Sequence, residues 1–343
     1  MRKIQTAFAL LILRAPTVLT AQTPVEITHT INSVALKDTR HIWVSLPPGY
    51  ASNQRTFALT ILLDGQDARL RDLASAASRA DAVLDFLDPQ MPQQIVVGIE
   101  SKQRGLEFGD SAANTHRFIE NEVLPFLKRT YRLNGLRTII GHSLAGRFAL
   151  REVCNGSHYY GIVAISPAIS SVEDEASVQR CIMSDTTAEH AIYIATGKRA
   201  ADRTEEGFRP HVMNLVASLE AEPNRNRRLA HEELLGYSHT RTTYLGIAAG
   251  LNFVFGDSFE PDDSIKKAVL SGKTDPVQAI ETFSSDRGRA LGATLTPPAR
   301  WYMLAYYLYP AARHAEALGV IERAARLYPE DIGLQNALKA LRR

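Results

Sequence analysis

The sequence has little cysteine and no clustering of metal-binding residues. Its 343 residues include only two cysteines, Cys154 and Cys181, which are too few for a disulfide-stapled scaffold. The pair has two interpretations, one disulfide bridge or two separately buried thiols. No His, Cys or Asp cluster has the spacing of metal ligands, so the sequence implies neither a metal nor another cofactor.

An excess of basic charge and a long apolar run are also missing. The 39 Lys and Arg residues nearly balance 37 Asp and Glu residues, for a formal charge of +2. Without a long basic run, this balance argues against a nucleic acid partner. No apolar segment is long enough to cross a bilayer, so we expect no transmembrane segment.

Residues 1–22 resemble a secretory signal peptide. Arg2 and Lys3 precede an apolar run over residues 7–13, and small or polar residues lead to a cleavage site near Ala21. Arg14 shortens the apolar run to the lower limit for such a segment. The prediction is a periplasmic or secreted protein, and the alternative is a cytoplasmic protein with a disordered or misassigned start.

Strand and helix patterns alternate through residues 23–256. Residues 25–48 alternate apolar and polar positions, as antiparallel strands do. Buried strands are predicted at 57–63, 95–99, 139–140, 162–165, 192–195 and 229–235, and helices at 73–87, 112–131, 145–153, 211–219 and 243–255. This order predicts an α/β domain with a mostly parallel sheet and helices on both faces. Reactive groups then belong at the carboxyl ends of the strands.

A serine follows the strand at 139–140 in the segment Gly141-His142-Ser143-Leu144-Ala145-Gly146. A serine on a sharp strand-to-helix turn has its hydroxyl pushed clear of the backbone, and small neighbours let the turn close. We therefore predict Ser143 as a nucleophile.

A nucleophilic serine needs a base, and a carboxylate often orients that base. His239 is the histidine that lies beyond the last predicted strand in a short polar turn, so we predict it as the base. In α/β-hydrolases the acid precedes the histidine in the chain. The charged segment 198–207, expected as a loop, offers Glu205 first, Asp202 as the alternative, and then Glu206. A Ser-His dyad without a committed acid is a further alternative.

Five motifs together resemble the putative esterase family of α/β-hydrolases, which includes enterochelin esterases, esterase D-like enzymes and feruloyl esterases. The motifs, in chain order, are Ser45-Leu46-Pro47-Pro48-Gly49-Tyr50, Leu62-Leu63-Asp64-Gly65-Gln66, Val97-Gly98-Ile99, Gly141-His142-Ser143-Leu144-Ala145-Gly146 and Ile165-Ser166-Pro167. The resemblance covers roughly residues 25–256 and implies a serine hydrolase with Ser143, a carboxylate and His239.

The oxyanion hole of such an enzyme is made of backbone N–H groups. Leu144 follows the nucleophile, and Gln66 lies in the loop after the third strand, where Gly65 is expected to let the chain turn over the site. Gln66 and Leu144 are therefore the predicted donors. Ala145 departs from the glycine that is usual in the family, which leaves open a tighter turn or altered helix packing.

The chain changes character after residue 256. Residues 257–297 are predicted as a linker that is partly helical. In 298–343, a tetratricopeptide-like pattern is formed by Trp301, Leu304, Ala305, Leu308, Ala317, Ile321, Ala324 and Pro329. The alternative is a plain helical hairpin. Because one repeat cannot bury its own face, residues 332–341 are expected to cap it.

The sequence thus predicts a serine carboxylic-ester hydrolase that acts on a small-molecule ester through an acyl-enzyme on Ser143. A siderophore trilactone esterase is an alternative substrate class, for which Arg104, Lys198, Arg199 and Arg203 could face an anionic ligand. A second alternative is a catalytically silent hydrolase fold, whose C-terminal helices bind a protein partner.

Overall fold

The computed structural model of the chain describes residues 25–47, 49–78, 93–156, 159–259, 263–291, 298–309, 311–329 and 331–342. The signal-peptide prediction falls outside these residues. The strands of the structure are β1 (Val25–Ser33), β2 (Asp38–Leu46), β3 (Phe57–Leu63), β4 (Gln94–Ile99), β5 (Leu133–His142), β6 (Gly161–Ile165), β7 (His190–Lys198) and β8 (Arg227–Leu235). The α-helices before residue 260 are α1 (Ala68–Ala77), α2 (Ala112–Phe118), α3 (Leu124–Thr130), α4 (Leu144–Arg151), α5 (Val172–Ser184), α6 (Arg203–Ala221) and α7 (Thr242–Phe259). Later helices are α8 (Asp263–Leu270), α9 (Pro276–Leu291), α10 (Pro298–Leu308), α11 (His314–Leu327) and α12 (Ile332–Leu341).

The eight strands form one sheet in the order β1-β2-β4-β3-β5-β6-β7-β8. β1 and β2 pair antiparallel to their neighbours, and β3 to β8 are parallel. The order reverses between β3 and β5, because the chain fills the sheet outward in both directions from this pair. Loops at the carboxyl ends of β3 and β5 therefore flank the crevice where α/β folds bind their ligands.

Helices cover both faces of the sheet, as the unbroken apolar strands predict. In β3, Leu59 and Ile61 lie in the apolar cluster on one face, and Ala58 and Leu62 lie in the cluster on the other. All seven β3 residues are buried. The sheet is thus held between two apolar layers, which fixes the strand ends that carry the site.

The helices after residue 262 share a third apolar cluster. Val269, Ala279 and Ile280 are buried in it together with Trp301 and Ile321. Residues 257–297, predicted as a partly helical linker, therefore contribute core residues to the C-terminal helices. A cation–π contact joins this group to the sheet domain, with Arg55 5.4 Å from the ring centre of Tyr328.

That contact lies at the amino end of β3, whereas the ligand crevice lies at the carboxyl ends of the parallel strands, called here the reactive edge. Arg55 precedes Phe57, the first residue of β3, whereas the crevice lies after Leu63, its last residue. The repeat-like interpretation of residues 298–343 stays a prediction.

Cys154 and Cys181 form a disulfide, with a Cα–Cα distance of 4.9 Å. Of the two interpretations, the structure has the bridge, which ties the short 3₁₀ helix after α4, Glu152–Asn155, to α5. Among the helices that the structure describes, none is both long and apolar enough to cross a membrane.

Candidate active site

Ser143 lies at the turn between β5 and α4 in a conformation that is rare for a residue with a side chain. Its φ is 62° and its ψ is −122°, and such a conformation costs about 1–3 kcal/mol. The turn is held from outside, since the Ser143 N–H donates to Ile165 O at 3.0 Å and Ser143 O accepts from Ala168 N at 3.0 Å. β6 and the loop after it therefore stabilise the strained turn.

Gly141 makes the sharp turn sterically feasible. A Cβ at this position would lie 2.1 Å from Ala145 O, so helix α4 folds back directly over β5. Ala145, which departs from the family pattern, is fully buried in the apolar cluster of that face. Its methyl group is accommodated there, and the indispensable small residue of the turn is Gly141.

The predicted oxyanion donors lie on the two loops that flank the crevice. Leu144 is the first residue of α4, where N–H groups have no acceptor within the helix, and Gln66 follows β3. Within the described residues neither N–H donates to a protein acceptor. The turn after β3 does not depend on the conformational freedom of Gly65, because the residue with the left-handed φ, 59°, is Asp64. A Cβ at Gly65 would lie 2.3 Å from the main chain of Gly98, so close approach to β4 requires the glycine.

An ion pair that sequence analysis missed ties these loops together. The Asp64 carboxylate accepts from Arg104 Nε at 2.8 Å and from Ser101 Oγ at 2.5 Å. Arg104 also donates to His142 O at 3.2 Å. Arg104, considered above for an anionic ligand, thus bridges the loops after β3, β4 and β5. An i to i+40 pairing leaves no pattern in a single sequence.

His239 lies in the loop between β8 and α7, with its Nδ1 3.3 Å from Glu205 Oε1. The geometry suits an Nδ1–H that donates to the carboxylate, which leaves Nε2 free to accept a proton. The Glu205 side chain is 2% exposed and that of His239 is 15% exposed. Burial strengthens this contact, because water does not compete for it.

The three candidate acids have different surroundings. α6 begins at Arg203, earlier than the predicted helix start, so Glu205 lies in its first turn and not in a loop. Asp202 caps that helix, accepting from Thr204 N and Glu205 N, and it also accepts from His239 N at 2.7 Å. Burial disfavours its charged form, but these amide hydrogen bonds outweigh burial and lower the pKa of Asp202. Glu206 is exposed.

His142 packs against the His239 loop, although the sequence offered no partner for it. Its Nε2 donates to His239 O at 2.9 Å, and the two rings are 4.6 Å apart. Burial, with a contribution from the neighbouring His239, lowers the pKa of His142 to about 4. The Ser143 hydroxyl has no hydrogen-bond partner among the described residues, and such catalytic contacts often form only when substrate is bound.

Beside this loop is a cavity of about 470 Å³, lined by Leu235, Gly236, Tyr237, Arg241 and Tyr244. It is an open depression, since its lining residues Leu235 and Tyr244 are largely exposed. In the described part of the chain, no group of three His, Cys, Asp or Glu side chains is arranged to hold a metal ion.

The sheet order and the strained serine after β5 define the class of the protein, an α/β-hydrolase. A family model described as "Putative esterase" matches residues 33–246, more than half of the chain. The chain belongs to this esterase family. It is a carboxylic-ester hydrolase whose substrate is a small-molecule ester.

Solved structures share this fold at low sequence identity. An IroE-like serine hydrolase from Shewanella oneidensis is 17% identical, with a TM-score of 0.70 over 88% of this chain and 100% of that one. An uncharacterised protein from Capnocytophaga ochracea DSM 7271 is 16% identical, with a TM-score of 0.67 over 88% and 84%. The siderophore hydrolase EstB from Aspergillus nidulans is 17% identical, with a TM-score of 0.58 over 72% and 100%.

The first two matches extend into the C-terminal helices, because 88% of this chain exceeds its first 256 residues. No curated protein has a significant sequence match.

Proposed function

We propose that the protein hydrolyses carboxylic esters through an acyl-enzyme on Ser143, with His239 as base and Glu205 as the acid that orients it. The observation that carries the proposal is the buried Glu205–His239 contact of 3.3 Å. It joins the first turn of α6 to the loop before α7, at the same sheet edge as the strained serine. A bare serine hydroxyl is a weak nucleophile, so this pairing supplies what the chemistry requires.

In this mechanism, Ser143 Oγ attacks the ester carbonyl as its proton moves to His239 Nε2. The N–H groups of Gln66 and Leu144 stabilise the oxyanion. The C–O bond to the alcohol breaks, the alcohol takes the proton from His239, and the acyl group stays on Ser143. Water then loses a proton to His239 and attacks the acyl carbon, which releases the acid and restores the serine. Glu205 keeps Nδ1 protonated throughout.

Covalent labelling tests the nucleophile. We expect a fluorophosphonate probe to label the folded wild-type protein and not Ser143→Ala. Ser170→Ala is the matched control, because Ser170 is an exposed serine that bonds to Asp174, and it should keep labelling. Folded wild-type protein that resists the probe would contradict the proposal and favour the catalytically silent alternative.

Three amide substitutions test the acid. Glu205→Gln should lower kcat by about 10³–10⁴, as expected when a buried acid no longer fixes the base. Asp202→Asn should cost much less, because an amide oxygen can still accept one of the same N–H bonds. Glu206→Gln should leave kcat unchanged. A Glu205→Gln variant with wild-type kcat would favour the dyad.

The siderophore trilactone alternative is a second candidate substrate class. Arg199 and Arg203 are exposed on the loop and helix that carry the acid, whereas Lys198 pairs with Glu233 at 2.8 Å. Turnover of p-nitrophenyl esters of graded length, measured beside a ferric catecholate siderophore, separates the two classes. Siderophore cleavage that exceeds turnover of every simple ester would favour the alternative.

We also propose export to the periplasm or beyond, because a stable disulfide suits an oxidising compartment. N-terminal sequencing of the mature protein should start near Gln22. A mature protein that keeps Met1 in the cytoplasm would contradict this. Binding of a protein partner by the C-terminal helices is a separate proposal, tested by whether substitutions of exposed Tyr306 and Tyr307 remove a co-purifying protein while activity is kept.

A further inference from the structure

We infer that Thr242 and Ser166 are positioning residues, whose hydroxyl groups hold the acid and the base in register. The inference rests on the proposed function, since it concerns the same two side chains. The motif Ile165-Ser166-Pro167 marks Ser166 in the sequence but gives it no role, and nothing in the sequence marks Thr242.

The two hydroxyls link the acid to the main chain of the base by direct contact. Ser166 Oγ donates to Glu205 Oε1, the same oxygen that faces His239 Nδ1. Thr242 Oγ1 donates to His239 O at 2.5 Å and lies 2.9 Å from Ser166 Oγ. Because each hydroxyl has one proton, these two donations use both protons, and the contact between the hydroxyls is a close packing contact. The acid and the peptide of the base are therefore each held by one of two touching hydroxyls, and this link limits how far the acid and the base can move apart.

Burial makes this link strong. Ser166 and Thr242 are both fully buried. In a dry environment a hydrogen bond is strong, and an acceptor that loses its donor is left unsatisfied at high cost. Loss of the Ser166 hydroxyl therefore leaves Glu205 Oε1 with His239 Nδ1 as its donor, and loss of the Thr242 hydroxyl leaves His239 O with His142 Nε2. Each loss weakens the hold on the acid or on the base.

The backbone at Ser166 is strained, which supports a role beyond packing. Its φ is 41°, a left-handed value that non-glycine residues adopt at a cost and that concentrates at functional sites. Ser166 N donates to Ala195 O at 2.7 Å, so the pairing of β6 with β7 continues into this residue. That bond aims the hydroxyl at Glu205 beyond the end of β7.

The peptide of His239 is anchored from both sides. Its N–H donates to Asp202 Oδ2 at 2.7 Å, and its oxygen accepts from both His142 Nε2 and Thr242 Oγ1. Asp202 and His142 also hold the loop. Asp202 accepts from the Glu205 N–H, but neither Asp202 nor His142 donates to the Glu205 carboxylate. Thr242 is thus the anchor that contacts Ser166, the hydroxyl donor to that carboxylate.

The adjacent Thr243 is a matched control. Thr243 is 6% exposed, and its Oγ1 donates to Thr240 O at 2.9 Å. It therefore makes the same hydroxyl-to-carbonyl bond, three residues back, at the start of the same helix. It makes no hydrogen bond to Ser166 or Glu205. Thr243→Val and Thr242→Val thus remove equivalent bonds, one outside the link and one within it.

Steady-state hydrolysis of p-nitrophenyl acetate by the full-length protein tests the inference. Thr242→Val should lower kcat by about 10–100-fold with KM nearly unchanged, because a displaced base slows chemistry without removing substrate contacts. Thr242→Ser keeps the hydroxyl and should stay within about threefold of wild type. Thr243→Val should keep wild-type kcat. Equal kcat in Thr242→Val and Thr243→Val would overturn the inference.

Two further measurements keep the test decisive. Ser166→Gly removes the hydroxyl without adding strain at a positive φ, and it should reproduce the loss of kcat if Thr242→Val does not fold. The NMR signal of the His239 Nδ1 proton should move in Thr242→Val and Ser166→Gly and stay in place in Thr243→Val. If the wild-type protein shows neither labelling nor turnover, the proposed function fails, and the NMR comparison alone decides the positioning. An unmoved signal in all three variants refutes it.

Discussion

The strain at Ser143 predicts that this serine, the proposed nucleophile, lowers the stability of the fold that carries it. Two variants isolate this strain, Ser143→Ala and Ser143→Gly. Both remove the hydroxyl, which has no partner among the described residues, so its loss affects them equally. Alanine keeps a Cβ at φ 62° and ψ −122°, whereas glycine adopts such angles freely.

The magnitude follows from two opposing contributions. Relief of the left-handed conformation stabilises the glycine variant by about 1–3 kcal/mol. The greater freedom of glycine in the unfolded chain costs about 0.5–1 kcal/mol. The net expectation is that Ser143→Gly is more stable than Ser143→Ala, by up to about 2.5 kcal/mol. For a domain of this size, that difference corresponds to up to about 10 °C in Tm.

Thermal and urea unfolding of the two variants, in the same buffer, measures the difference. Neither variant should hydrolyse esters, so a stability gap between them arises from the backbone and not from residual activity. A glycine variant that unfolds at or below the midpoint of the alanine variant would show that the turn is unstrained.

Three further predictions concern stability. Gly141→Ala should fail to fold or lose soluble expression, because its Cβ would lie 2.1 Å from a carbonyl oxygen of α4. The control Gly207→Ala should match or exceed the wild-type Tm, because a Cβ at that position would have nothing within 4 Å. Equal Tm values for the two variants would contradict the steric argument. The pKa of His142 is about 4 in the folded protein and about 6.5 in the unfolded chain. As pH drops from about 6.5 towards 4, the unfolded chain therefore binds a proton before the folded protein does. The free energy of unfolding should fall over this range, by roughly 2 kcal/mol at pH 5. Urea melts at several pH values measure this free energy for the wild type and for His142→Gln. It should depend less on pH in the variant. If it changed with pH equally in both proteins, the lowered pKa of His142 would be refuted. Cys154 and Cys181 are 27 residues apart, and replacing both by serine should lower the free energy of unfolding by about 3–4 kcal/mol. Urea melts of the wild type with and without reductant measure the same contribution. A wild-type protein whose unfolding does not respond to reductant would show that the bridge is absent in solution.

Much of the sheet could be predicted because its signals are local. The apolar run of β3 has the composition of a strand covered on both faces, and the structure buries all seven residues. Boundaries were less predictable, since α6 begins eight residues before the expected start. Its early turns are mostly polar, and the residue they bury is the charged Glu205, so apolar periodicity does not reveal them. Ser143 and His239 stood out because each follows a recognisable strand at the reactive edge.

The choice among the acids was beyond the reach of the sequence. Asp202, Glu205 and Glu206 occupy one charged segment, and no local pattern separates them. The start of α6 turns Glu205 inward towards His239, points Asp202 at backbone amides, and leaves Glu206 in solvent. That outcome depends on the pairing of β7 with β8, which brings together residues 34 positions apart.

By itself the sequence determined an α/β sheet, a serine at the end of its central strand and a histidine after its last strand, because periodicity and short motifs encode local structure and chain order. Only the tertiary structure brought Glu205, and not its neighbours, against the His239 imidazole, formed the Asp64–Arg104 bridge, and placed the hydroxyls of Ser166 and Thr242 beside Glu205 and His239. Each of these contacts joins residues far apart in the chain. Their partners become neighbours only when the packed sheet aligns the loops at one edge.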